Sequence, residues 1–231
     1  MLAISIVAIV VFLFGIYFNF RKWGNGSAMN FWRNFVEMAR REENPSILNT
    51  IVMDVLLLRR TYQRSKVRWI MHMAIFYGFV ALFILTMVAF AFEIPYLMNP
   101  TDELLKQVHQ NRENYLAVPN YIFSGVLTLG IAIAILRRGF IKETRETSLA
   151  GYDWLWIGFL ALVLITGFAA DFARTQVFSD FNLYAKPNDT SIPIATFHVV
   201  ISLVFFALLP FSKFVHIFAT PLLIIAKGGG K

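Results

Sequence analysis

Five runs of apolar residues, each about long enough to cross a bilayer as a helix, constrain this chain more than any other feature. They cover Leu2 to Phe20, Trp69 to Phe92, about Pro119 to Leu136, Trp154 to Ala170 and about Ile192 to Ile225. Roughly 20 apolar residues rise through about 30 Å of hydrocarbon, the thickness of a bilayer core. Only helices and closed barrels satisfy their backbone polar groups in that medium. Composition agrees: 58% of the 231 residues are hydrophobic and 15% are charged, with a mean hydropathy of +0.61. Soluble domains carry about 25% charged residues. A water-soluble enzyme is excluded, and so is a disordered nucleic-acid-binding tail, despite a net charge of +7. The expectation is an all-α membrane protein, a five-helix bundle forming one domain over residues 1–231. The first run lacks a basic leading segment and a small-residue cleavage site, so it reads as a retained span rather than a signal peptide.

The basic residues orient the bundle. Seventeen of the 21 Lys and Arg fall in Arg21–Arg68, Arg137–Arg145 and Lys213–Lys231, which alternate spans place on one side. The other side holds Lys106, Arg112, Arg174 and Lys186. The positive-inside rule then puts the N-terminus outside and the C-terminus in the cytoplasm, in the inner membrane of a prokaryote. Residues 28–60 mix apolar and basic side chains, as a helix lying on the cytoplasmic face does. The same mixture would also suit a partner-docking face. Residues 101–115 (TDELLKQVHQNRENY) read as an outer polar helix, with Asn99-Pro100 marking its approach.

The absence of cysteine removes disulfides, thiolate zinc sites, Cys-ligated iron–sulfur clusters and covalent haem c. The soft nitrogen ligands are His72, His109, His198 and His216. An ionisable residue inside a membrane is costly, and functional by default. His198 and His216 are 18 residues apart, five whole turns of an ideal helix and about 27 Å along its axis. One face of one helix then offers a ligand near each leaflet, which suits two stacked cofactors and not one metal ion. His72 enters the second span one turn after Arg68, and His216 leaves the fifth one turn after Lys213. Antiparallel spans put them at similar depth, where two imidazoles would hold a haem b. Arg68 and Lys213 suit haem propionates, although positive-inside bias also explains them. Gly78, Gly158 and Gly167 would admit a porphyrin, or equally a neighbouring helix. On the outer side, His109 either clamps a second haem with His198 or is a solvated surface residue while His198 faces a quinone. Lys106 is placed near the quinone headgroup.

The segment His198 to Pro221 (HVVISLVFFALLPFSKFVHIFATP) and the segment Arg68 to Gly78 (RWIMHMAIFYG) carry a resemblance. The chain resembles the cytochrome b membrane subunits of the respiratory nitrate reductase gamma family. In that pattern a histidine, an apolar stretch, Pro-Phe-Ser-Lys/Arg and a second histidine follow one another. Nitrate reductase members carry a further histidine where this chain has Leu82. With LLLRRTYQRSKVRWIMHMAIFYGF, the chain is closer to the branch of the heterodisulfide reductase membrane subunit, the sulfite-reduction complex cytochrome and the Isp-type hydrogenase cytochromes. The resemblance implies haem ligands at His72, His198 and His216; His109 draws no support from it. It also implies exchange of electrons between a menaquinone- or methanophenazine-like carrier and an iron–sulfur subunit (HdrD-like), a hydrogenase or another catalytic subunit.

The functional expectation is therefore a di-haem electron-transfer subunit of an oxidoreductase complex, not a catalyst by itself. A haem-free membrane anchor would present the same cytoplasmic face but no Soret band. A small transporter would show broken helices or inverted repeats, and neither is visible in the sequence.

Overall fold

A computed structural model describes residues 2–40, 49, 51–99, 101–141, 150–175, 191–216, 219–220 and 222. Among them the chain is helical, with no strand. The long helices are α1 (Leu2–Trp23), α4 (Lys66–Met98), α5 (Glu103–Phe140), α6 (Ala150–Thr175) and α7 (Ser191–Leu208). Shorter α2 (Ala28–Ala39) and α3 (Arg59–Arg64) lie between α1 and α4, with a π-helical turn at Ile51–Leu56. Each of the five long helices contains a window long and apolar enough to cross a membrane, ending with Ile192–Phe211. Their outer faces stay apolar, as lipid-facing surfaces must.

Two compact units are distinguished, Met1–Trp69 with Val199–Lys231, and Ile70–His198. In the first, Phe12 stacks on Phe206 at 4.2 Å. Gly15 leaves room for Pro210, since a Cβ there would lie 2.7 Å from the proline Cβ. Asn19 Nδ2 donates to Gly15 O (2.8 Å) and to Pro210 O (2.9 Å). Phe20, Trp23, Phe31 and Trp32 cluster where α1 meets α2, with ring centroids 5.0–5.7 Å apart. Aromatic rings of this kind favour the headgroup level of a bilayer. The part of the expected surface segment that lies at residues 41–48 and 50 is outside the described residues.

In the second unit, small residues set the helix spacing. Gly78 of α4 faces Leu127 of α5, and Gly130 of α5 faces Ile75 and Ala74 of α4; an added Cβ would meet those atoms at 2.8–3.0 Å. Ala74 and Gly78, like Gly130 and Ala134, are four apart, the small-xxx-small spacing by which membrane helices approach closely. The partners run antiparallel. So do α5 and α6, clasped by Arg138–Asp153 at 3.6 Å near one end and by Tyr121 to Asp171 near the other.

Two sequence expectations change. The polar segment 101–115 is no separate outer helix: Asp102 caps α5 through Leu104 N and Leu105 N, and the helix then runs unbroken through Pro119. Nor does the fifth helix carry both histidines. It ends at Leu208, because Pro210 has no N–H to continue the ladder, and two 3₁₀ turns follow at Leu209–Phe211 and Lys213–Val215. The five-turn count that puts His198 and His216 on one face therefore does not apply.

Candidate functional site

His198 sits in the first half of α7, half-buried against α6. Its ring lies over Gly167, where an added Cβ would stand 3.1 Å from Cε1. A Cβ at 167 would require the imidazole to shift by a few tenths of an ångström. Thr166, the preceding residue, places Oγ1 3.0 Å from His198 Nδ1. That hydroxyl has one proton, already directed to Leu162 O (2.9 Å) and Val163 O (3.0 Å). With its proton on either carbonyl, the hydroxyl accepts from Nδ1–H of His198, the tautomer in which Nε2 keeps its lone pair. Metal-ligating histidines are oriented this way, with the far N–H donated to a fixed oxygen.

His216 follows the second 3₁₀ turn and repeats the chemistry by other means. Its Nδ1 donates to Lys213 O at 2.5 Å, since a carbonyl only accepts, and Nε2 is again the lone-pair nitrogen. The Pro-Phe-Ser-Lys stretch builds that turn. Pro210 ends the helix, buried Ser212 donates to Leu209 O (2.7 Å) and accepts from Phe214 N (3.0 Å), and Lys213 supplies the carbonyl. The structural reason for this stretch is a bend that presents His216.

The remaining expected residues are placed as follows. His72 lies on α4, partly buried, one turn beyond the exposed Arg68. Lys106 pairs with Glu103 at 3.5 Å on the exposed start of α5. His109 belongs to the backbone of the same helix, six residues before the apolar window that opens at Tyr115. His198 is six residues inside the window that opens at Ile192. Tyr121 of α5 meets Asp171 of α6, four residues beyond Gly167, and His109 precedes Tyr121 by twelve residues, about 18 Å of unbroken helix. The structure does not bring His109 to His198. Gly167 is the one of the three singled-out glycines that meets a histidine; Gly78 packs helices, and a Cβ on Gly158 would meet open space. Thr166 and the Tyr121–Asp171 pair escaped the sequence reading, since no local pattern joins residues 32 and 50 apart.

Comparison with known proteins decides the family. The family model HdrE, which describes one subunit of dihydromethanophenazine:CoB--CoM heterodisulfide reductase, matches residues 48–224. The chain belongs to that family. The same subunit from Methanosarcina thermophila is 40% identical over 252 residues, covering 100% of this chain and 92% of its own length. The one from Methanosarcina mazei is 39% identical over 246 residues, covering 99% of this chain and 92% of its own. The nitrate reductase gamma chain of Bacillus subtilis is 35% identical over 109 residues, 40% of this chain and 48% of its own, which supports the wider cytochrome b link. No solved structure matches. This chain carries five helices long and apolar enough to cross a membrane, with Nδ1 of His198 beside Thr166 and Nδ1 of His216 on the Lys213 carbonyl.

Proposed function

We propose that this chain is a haem b electron-transfer subunit working between a membrane-dissolved carrier and an iron–sulfur partner. The relatives' name supplies the carrier class, a dihydrophenazine that gives up two electrons and two protons, with a menaquinol as the chemical alternative. It also supplies the reaction served, reduction of a heterodisulfide, whose catalytic iron–sulfur subunit (HdrD-like) is the proposed partner on the cytoplasmic face. The observation that carries the reading is the Thr166–His198 hydrogen bond, which prepares Nε2 as a ligand atom beside a glycine.

The residues fit haem. His198 would hold one haem through Nε2, with Thr166 fixing the tautomer and Gly167 giving the ring its place. His72 and His216 are proposed to hold a second haem together, on the depth argument from the sequence; two imidazole ligands would make it low-spin. Bound there, the haems would supply one-electron relay across the apolar layer, where protein groups tune the potential through ligation and burial. His198 is proposed to hold its haem as a single histidine ligand. The N-terminus is proposed to lie outside and the C-terminus in the cytoplasm of a prokaryotic cell.

Single-histidine variants test this. His198→Ala should lose one of two haems and retain the low-spin spectrum, while His109→Ala should change neither content nor spin state. Loss or conversion of a haem in His109→Ala would restore the His109–His198 clamp. Full haem content in His198→Ala would refute the ligand assignment.

A further inference from the structure

Asp171 is a carboxylate on a membrane-spanning helix, two residues from the end of the window Gly151–Ala173. Such residues are rare and mark ion or proton paths. Tyr121 of α5 donates its O–H to Asp171 Oδ2 at 2.5 Å, at the short end of O–H···O⁻ bonds. Asp171 follows Gly167 by four residues, so both lie on one face of α6, one turn apart along its axis. The His198 ring rests on Gly167. The carboxylate thus lies about one helical turn beyond the point where the imidazole meets α6, towards the C-terminal end of that helix.

The surroundings suit a carrier arriving from the lipid. Tyr121 is 41% exposed, and Phe168 and Phe172, near Asp171 along α6, are 43% and 56% exposed. These rings offer a flat apolar approach for an aromatic carrier.

We infer that Asp171 is the proton acceptor for the reduced carrier, with Tyr121 as its positioning residue, at the place where electrons enter the His198 haem. This rests on the haem reading above. In each half-reaction one N–H or O–H bond of the dihydro carrier breaks. The proton forms an O–H on Asp171, and the electron would pass to the haem that His198 would hold, which would supply the one-electron acceptor. Asp171 then releases its proton to the aqueous phase at that end of the bundle. Once the partner's iron–sulfur cluster has taken the electron, the second proton and electron follow the same way. A purely structural clasp between α5 and α6 is the competing account.

The test mixes reduced 2-hydroxyphenazine with the oxidised complex and follows the haem α-band. Asp171→Asn is expected to slow haem reduction by about 100-fold or more, the range of a lost general base. Binding of oxidised 2-hydroxyphenazine, haem content and reduction by dithionite should stay at wild-type values. Infrared difference spectra supply a second readout. A carboxylic C=O band should appear on adding reduced carrier to the wild type, shift in Asp171→Glu and vanish in Asp171→Asn. Tyr121→Phe should slow reduction less and keep the band. Wild-type rates in Asp171→Asn, or slowing only in step with lost haem, would overturn the inference while leaving the haem reading intact. A wild-type complex without a His198-dependent haem would overturn both.

Discussion

At the scale of single residues, the site depends on which nitrogen of each imidazole carries the proton. Thr166 Oγ1 meets Nδ1 of His198, and the carbonyl of Lys213 meets Nδ1 of His216. Thr166→Val keeps the shape and removes the acceptor, which should weaken haem retention by about 10- to 100-fold, as lost supporting shells do. Haem per chain after detergent washing measures it, and Thr166→Ser should restore retention. Equal retention in the valine variant would make the hydrogen bond incidental. The histidines were legible because an imidazole in an apolar run stands out. Thr166 was not: threonine is ordinary in membrane helices, and its partner is 32 residues away. Asp171 was missed because the apolar run reads as ending at Ala170, while the helix continues to Thr175.

At the scale of elements, hydropathy located all five spans but not where helices stop. Nothing in the run from Ile192 onward tells how far the helix continues past a proline. Pro119 sits inside α5 without ending it, whereas Pro210 falls just beyond α7 and is followed by extended Ser212 (φ −103°, ψ 173°). Asn19 on α1 completes the break by binding Pro210 O, a contact across 191 residues of sequence. Helix spacing was half legible. Gly78 suits either a packed helix or a porphyrin in the sequence, and the α4–α5 crossing shows the former. Gly130→Leu should force α4 and α5 apart, because Ile75 N, a backbone atom, lies 2.8 Å from the new Cβ and cannot yield as a side chain end would. Overpacking of this kind costs about 1–3 kcal/mol, read as a lower midpoint in thermal unfolding of the detergent-solubilised protein. An unchanged midpoint would mean that the crossing tolerates separation.

For the whole molecule, the lipid-facing surface and the cysteine-free composition point the same way. A chain without thiolates holds no Cys-ligated iron–sulfur cluster of its own, so the clusters of the proposed relay would belong to a partner subunit. Among the described residues few side chains are buried and many large apolar ones are exposed, with Leu209, Ala134, Leu160 and Phe205 nearly inaccessible. The fold class and family were legible in the sequence, since both rest on hydropathy and on motifs spread along the chain. The supporting polar groups were not, since they are contributed by residues that only the fold brings together. The claim on which the account stands is that this protein carries haem b. Pyridine haemochrome analysis of the purified wild-type chain, with its reduced-minus-oxidised spectrum, should give two haem b per polypeptide, one low-spin and one high-spin. A preparation that binds its partner yet shows neither a Soret nor an α band would contradict that claim and leave a haem-free anchor.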